Sequence, residues 1–438
     1  MSKMYNYRFV AQITLEAVTP LKTASGQSDF FVDAPVLKDW NGLPMILGTS
    51  IAGVLRKEFQ ESEADEIFGQ DNGSRILISN AHLLDETQKL HSTLGISPKS
   101  DFLQKYENLP IREHTAINKR GVAKERSKFD EEVVFAGSLF KFEMEFLGDK
   151  EEDEAIWQRL LSLINSPLFR LGGGSTKGFG EMKVVSCFES SYIIGKDYQD
   201  KPSDLNIQKG IDVKDTIQKS NQEYTIYKIT LEPDSFFSFG AGFGDDEVDD
   251  IPVTEEIAKW DKEKGYFSDK QILLPASSLK GALSHRVAYH YNRLEENFAD
   301  NIPVEEFENY IGENNLAVAT IFGASKGHQY EKKGKALFSD MFKEFKSDEV
   351  KIFDHVKIDR FTGGAIDSAL YNEKVIAKKD KWEIEIVLID DLNDNIKEAF
   401  KATLEDLCNG LLPLGGKVNR GHGVFVGEWN EEKNNGSK

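Results

Sequence analysis

Cysteine is close to absent: Cys187 and Cys408 are the only two in 438 residues, far apart and outside any CxxC context. That excludes a disulfide framework or a zinc site built within the chain and leaves two inert thiols. An uninterrupted apolar run is missing as well. Nothing approaches the ~20 residues a membrane helix needs, and the opening MSKMYNYRFVAQITLEA has no apolar signal core. The chain is therefore read as cytoplasmic, with no membrane partner. Proline is sparse at 12, while hydrophobic residues make up 39% and charged residues 29%, a folded composition that excludes disordered and fibrous classes. Positive charge is the third shortage. With 74 acidic against 54 basic residues the formal net charge is -20, which argues against a free nucleic-acid-binding protein. The eight histidines form no HxxxH or HExxH arrangement, so a histidine-built metal site is disfavoured.

What is present is local and repeated. Basic runs such as INKRGVAKERSK (117–128) stand apart from acidic ones such as GDDEVDD (244–250). The length predicts two large domains or several smaller ones, and internal repeats decide between these. LPMILGTSIAGVLRKEF (43–59) returns as ILLPASSLKGALSHRV (272–287), with Ser50, Gly53 and Leu55 answering Ser278, Gly281 and Leu283. Phe68-Gly69 returns as Phe322-Gly323, and LGGGSTKGFGEMKV (171–184) as LGGKVNRGHGVFVG (414–427). Three markers in one order, with offsets that drift as loops lengthen, indicate a duplication.

Each copy opens with an alternating strand, YRFVAQITLEA (7–17) and YTIYKITLEP (224–233). A polar, Gly-rich excursion follows, then the SxxGxL segment, where Ser50 and Ser278 are placed as helix N-caps. Later strand patterns at 133–148 and 379–390 each precede a helical stretch and a final strand. The plan in both copies is βαββαβ-like, an antiparallel sheet with helices on one face. Residues 1–191 form the first domain and 223–438 the second; the polar 192–222, without apolar periodicity, reads as a linker.

Three kinds of segment can carry chemistry. The Gly-rich closers fit either a tight helix-to-strand turn or a concavity of backbone N–H groups for a phosphate. Lys177 and Arg420 hold the same repeat position there, before Gly178 and Gly421, where a cation can reach that phosphate. GGGSTKG lacks the GxxxxGK[ST] spacing, so no nucleotide cofactor is expected. Asp33, ahead of a proline in the first excursion, is by position alone a solvated turn residue. The stretch 112–137 and its counterpart 355–379 read either as projecting hairpin flaps whose Arg and Lys contact phosphates or as solvated loops.

In this order GTSIAGVLR, FG, HTAINKRG with FDEEVVFAG, and LGGGSTKGFGE resemble the RAMP superfamily of CRISPR-associated proteins. That family has a GSSLKGALR-like helix start, an FG, an NTAIDR-type flap and a terminal Gly-rich loop. The first half looks like the backbone subunit of type III effector complexes, and the resemblance covers nearly all of both halves. It implies two tandem ferredoxin-like (RRM-like) domains of α+β class with inserted flap, or thumb, hairpins. It implies as partners a CRISPR guide RNA, complementary target RNA and other effector-complex subunits. RNA contacts are expected from Ser50, Lys119, Arg120, Lys124, Arg126, Gly173, Gly174 and Lys177 in the first half. Ser278, Lys280, Arg360, Gly415, Gly416 and Arg420 are expected to supply them in the second.

In those subunits a VDxPV segment carries the aspartate needed for target-RNA cleavage, and here it stands as Val32-Asp33-Ala34-Pro35-Val36. The resemblance thus makes Asp33 the leading catalytic candidate, acting on a ribose 2′-OH with a divalent cation (Mg or Mn) whose ligands stay undefined. It implies target cleavage at regular intervals. In the second half, anchoring Pro35 on Pro252 puts Asp250 opposite Asp33, with Asp245, Asp246 and Asp249 as competitors. There Arg56 is replaced by Ser284, the flap lacks HTAIN, and cleavage by this half stays open. Two other readings remain, a structural RAMP subunit that does not cut and a guide-processing RAMP endoribonuclease. The VDAPV segment and the second flap weigh against the endoribonuclease.

Overall fold

The structure, a computed structural model, describes residues 5–26, 32–70, 73–91, 100–117, 123–262, 264–377 and 379–436. Lys119 and Arg120 lie outside the described residues, as do the side chains of Lys124 and Arg126. No helix among the described residues is long and apolar enough to cross a membrane.

The first half runs β1 (Tyr7–Ala17), α1 (Gly48–Arg56), α2 (Glu61–Phe68), β2 (Ile76–Ile78), β3 (Ala81–Leu83), a hairpin of β4 (Ile111–Ile117) and β5 (Ala123–Glu132), β6 (Leu139–Gly148), α3 (Glu154–Ile164) and β7 (Met182–Ile193). A short β8 (Ile211–Asp212) adds to the edge of β7. The second half runs β9 (Glu223–Pro233), α4 (Ala276–Leu294), α5 (Leu316–Phe322), β10 (Ala336–Leu337), a hairpin of β11 (Val350–Ile358) and β12 (Ala365–Ile376), β13 (Trp382–Ile389), α6 (Asp394–Cys408) and β14 (Phe425–Asn435). In both sheets the opening strand is central, flanked antiparallel by the strand before the last helix and the strand after it.

The two copies share register as well as order. Arg8 faces Leu147 and Tyr224 faces Ile389, giving offsets of 216 (224 minus 8) and 242 (389 minus 147). Leu15 faces Val184 and Leu231 faces Gly427, giving 216 (231 minus 15) and 243 (427 minus 184). Ile76 faces Phe146 and Ala336 faces Leu388, so 76–80 answers 336–340. A strand slip of one residue turns every side chain to the other face, so this agreement matches both faces of both sheets.

Each sheet packs its helices over a separate core. Trp157 of α3 is fully buried and stacks on Phe9 at 5.6 Å, while Phe400 of α6 meets Tyr227 edge-on at 5.1 Å. The alternation read in 7–17 is only partial, because the other face of the first sheet is covered too. Segment 194–213 lies across it, with Tyr198 donating to Glu145 (2.9 Å) and Lys201 pairing with Glu143 (2.5 Å). The same face of the second sheet is open, with Glu383, Glu385, Glu428 and Glu432 exposed.

One expectation about the helix starts is corrected. Ser50 and Ser278 are the third residues of α1 and α4 rather than their caps. The first helical N–H is met from across the sheet instead: Gly48 donates to Asn80 Oδ1 (3.0 Å) and Ala276 to Asp340 Oδ1 (2.8 Å). A cap supplied by a distant strand leaves no local serine signature.

The halves meet at a seam with a buried ionic lock. Arg112 of β4 gives Nε and one terminal nitrogen to Glu255 (2.5 and 2.8 Å) and the other to Asp340. Arg112 is 8% exposed and the Asp340 side chain 1%. Beside the lock, Gly178 bridges Ser339 in parallel and Ala258 donates to the carbonyl of Ala136 (2.8 Å). Gly137 must be glycine, since a Cβ there would fall 1.8 Å from the Ala258 oxygen and its φ is +81°.

Removing one partner of a buried ion pair costs about 3–5 kcal/mol because the other is left uncompensated. Arg112→Ala is expected to lower the unfolding free energy by that order and to split thermal unfolding into two transitions, one per core. Arg112→Lys, a point charge that cannot fork to both carboxylates, restores only part of it. An unchanged calorimetric profile for Arg112→Ala would show that the lock does not hold the seam.

Candidate nucleic-acid interface

The loop carrying Asp33 lies against the return strand of its hairpin. The Asp33 amide donates to Asp130 Oδ1 (2.8 Å) and the Asp130 amide to Asp33 Oδ2 (3.2 Å), and Ala34 bridges Glu131 in parallel. Two residues thus clasp each other's backbone, which fixes where the exposed Asp33 carboxylate stands. The second half repeats the clasp with Asp249 and Asn372, at 3.0 Å in each direction, next to a parallel bridge between Asp250 and Glu373.

The counterpart of Asp33 is therefore Asp249, at the same offset of 216 (249 minus 33) that relates the central strands. Asp250 falls in the slot of Ala34, where its carboxylate pairs with Lys417 (2.5 Å). Anchoring on proline misplaced the register because Pro252 has moved by one residue: the main-chain position of Pro35, accepting from Ser25, is held by Ile251, accepting from Ala241. Asp245 pairs with Lys374 (2.6 Å) and caps its own turn through the amides of Glu247 and Val248, contacts that hold its carboxyl below the usual range. Asp246 is exposed in the same loop.

Beneath each clasp lies a buried glutamate met by a histidine of the hairpin and by a lysine. Glu131 is met by Lys22 and by His114 Nε2 (3.5 Å); Glu373 by His355 Nε2 (2.9 Å), Lys417 (2.5 Å) and Arg420 (3.2 Å). His114 stacks on Phe129 at 5.1 Å and His355 on Tyr371 at 4.9 Å. Lys177 lies 5.9 Å over the Phe129 ring and Arg420 5.2 Å over Tyr371, so the equivalent cations of the two Gly-rich loops do the same work. Burial, with Arg112, Lys177 and Lys22 around it, holds the His114 pKa below the imidazole value against the pull of Glu131. Burial pushes Glu373 up, but its bonds from Lys417 and His355 outweigh that and hold it below the carboxylate value.

These histidines and glutamates were not singled out from the sequence. The signal was there, as Glu113-His114 in one flap and Asp354-His355 in the other, 241 apart (355 minus 114). The loss of most of the HTAIN string, of which only the histidine and Ile117 (as Ile358) keep their places, hid the pairing.

The glycine loops favour close packing over an open phosphate cradle at all four predicted glycines. Gly173 donates its amide to the Lys22 carbonyl (2.8 Å) and Gly416 its amide to that of Ser238 (2.9 Å). A Cβ on Gly415 would meet the same Ser238 oxygen at 2.5 Å, and one on Gly174 (φ +74°) would strike Phe179. Lys280 of α4 reaches back over the seam to Thr176 (3.3 Å) and the Phe322 carbonyl (2.8 Å). Burial and nearby Lys177 push its pKa down to about 8. Arg360 is exposed at the tip of the second hairpin beside Phe361, which is 99% exposed, and Asp359 braces that turn.

Among the described residues no group of three or more His, Cys, Asp or Glu converges on a metal position. The clasp of Asp33 with Asp130 contains two carboxylates, and Mg is commonly held by one or two carboxylates plus substrate phosphates. In the second half Asn372 replaces Asp130, leaving one carboxylate in the clasp.

The chain matches the family model described as RAMP superfamily over residues 14–183 and again over 200–426. A Methanocaldococcus jannaschii protein named CRISPR system Cms endoribonuclease Csm3 is 24% identical over 242 residues, which cover 46% of this chain and 91% of that protein. One half of the chain thus spans about the length of this relative.

A group whose folded pKa is depressed below its unfolded value resists protonation only while folded, so it withdraws stability as pH falls. For His114 that loss begins below about 6.5, the unperturbed value, and deepens toward its lowered folded pKa. His114→Gln is expected to flatten the fall of the urea midpoint on acidification; an equally steep fall in the variant would exclude His114 as a source.

Proposed function

The chain belongs to the RAMP superfamily, and from that premise we propose that it is a guide-RNA-binding backbone subunit of a type III CRISPR effector complex. In this reading each half is a ferredoxin-like RNA-recognition domain with a thumb hairpin, and the two halves cleave complementary target RNA one interval apart. The observation that carries it is the aspartate clasp, made twice at the same register by Asp33 and Asp249. An exposed carboxylate held by backbone on a strand-braced loop suits a group that must meet a substrate in one orientation.

The chemistry is transesterification. The ribose 2′-oxygen attacks the adjacent phosphorus as the loop carboxylate takes or orients its proton, and the bond to the departing 5′-oxygen breaks. The products are a 2′,3′-cyclic phosphate and a 5′-hydroxyl. Asp33 with Asp130 would hold a divalent cation, which when bound supplies neutralisation of charge on the phosphate. Asp249 with Asn372 offers a weaker hold. Lys177, Lys280 and Arg420 provide cations for the phosphate backbone.

With the assembled complex and a complementary RNA, Asp33→Ala is expected to abolish one cut and Asp249→Ala another, each by about 10²-fold or more. Asp250→Ala is expected to leave both cuts, and the Asp249 cut to require more Mg. Loss of a cut with Asp250→Ala but not with Asp249→Ala would refute the register. Unchanged cutting in every variant would refute catalysis by the loops and leave RNA binding standing.

Lys280, neutral above about 8 in the free chain, regains its proton beside a phosphate. RNA affinity should therefore fall as pH rises through that value, with proton uptake on binding visible by calorimetry in two buffers. Lys280→Arg should abolish the uptake; if uptake persists, Lys280 does not contact the RNA.

A further inference from the structure

A head-to-tail contact between two copies of one domain uses unlike faces, so it leaves an unused face at each end. Here the first half's glycine-loop face sits on the second half's helix-start face. The first half's own helix-start face and the second half's glycine-loop face have no such neighbour among the described residues.

The seam has an apolar contact and an ionic lock, and they differ in how they recur outside. Leu337 is buried at the seam, 3% exposed, in a cluster against which Leu168 of the first half packs. Their equivalents at the two ends are Leu77 (337 minus 260) and Leu411 (168 plus 243), exposed at 53% and 60%. The apolar contact is thus offered again at both ends.

The lock is not. Phe353 stands where Arg112 does, and Asn80 where Asp340 does. Asn80 Oδ1 is taken by the start of α1, so the outer face presents an amide donor where the seam presents a carboxylate. Asp39 takes the place of Glu255, but its side chain is 5% exposed and turned onto the amides of Asn41 and Leu43. A second copy docked in the same sense would set the Phe353 ring against a polar amide and leave that amide without a partner, besides lacking the lock.

We propose that the first half's face around Leu77 and Asn80 seats the glycine-loop face of a RAMP-type domain belonging to a different chain. That domain presents a hydrogen-bond acceptor where Arg112 stands in the internal seam. The Arg112 lock is then a specificity device: it joins the two halves in one order and keeps the chain from adding to itself. The idea rests on the chain acting within a multi-subunit complex, though not on its cutting RNA.

Sedimentation of the purified chain should show a monomer at every concentration. The double variant Asn80→Asp with Phe353→Arg should form salt-sensitive head-to-tail oligomers, and adding Leu77→Glu should dissolve them. A photocrosslinker at Leu77 in the purified complex should yield a peptide from the glycine-rich loop of another RAMP-fold subunit. Wild-type oligomers broken by Leu77→Glu, a crosslink to this chain's own second half, or a monomeric double variant would each overturn the proposal. A complex that assembles and crosslinks as expected but cuts nothing would count against the cleavage reading alone.

Discussion

A loop and a hairpin strand that meet in one parallel bridge set the site in each half. Once Ala34 lies against Glu131, or Asp250 against Glu373, the preceding aspartate must point outward. The glutamate opposite must point inward. The aspartate is left exposed and braced; the glutamate is buried and has to be neutralised. Both halves recruit a histidine from the outgoing hairpin strand for this, but they draw the lysine from different places. Lys22 comes from the segment after the opening strand and Lys417 from the glycine loop. The charge requirement is kept while its source changes, as expected when a buried carboxylate rather than a particular side chain is the constraint.

The same logic separates the seam from the ends. Asn80 and Asp340 do one identical task, accepting the first amide of a helix. An amide oxygen and a carboxylate oxygen serve equally there. The second oxygen of Asp340 is what the duplication exploited, because it is free to take a guanidinium that Asn80 would repel. A change from amide to carboxylate at a capping position thus converts a generic docking face into a committed one without disturbing the helix.

Much of this was legible in the sequence because it is periodic. The two copies, their strand and helix order, the flaps and the glycine loops all leave repeated strings, and the hairpins appear where basic and polar runs return to a strand. What failed has a common physical cause. Local reading looks along the chain and puts the helix caps at Ser50 and Ser278, whereas Asn80 and Asp340 reach across it. Proline is a conspicuous anchor and sets Asp250 opposite Asp33, whereas the register is fixed by main-chain hydrogen bonds that pass through Ile251 regardless of its identity. The lock among Arg112, Glu255 and Asp340 joins segments that no repeat comparison aligns, and it has no counterpart to be compared with.

The net charge of -20 sits awkwardly with a polyanionic ligand only if charge is spread evenly, and it is not. Between α4 and α5 the second half carries an insertion, 295–315, with seven acidic residues and no lysine or arginine, where the first half has four residues. It begins at the far end of α4, whose 19 residues span roughly 28 Å from the helix start at the seam. That exceeds the screening length of about 8 Å at physiological ionic strength several times over. The other end of the insertion returns toward α5, and there Glu313 partly offsets the burial and the nearby Lys177 that push the Lys280 pKa down. A ligand arriving at the seam meets cations, while other polyanions meet acid over the insertion and over the open face of the second sheet. Charge of one sign in excess then sharpens where RNA can lie, rather than opposing its binding.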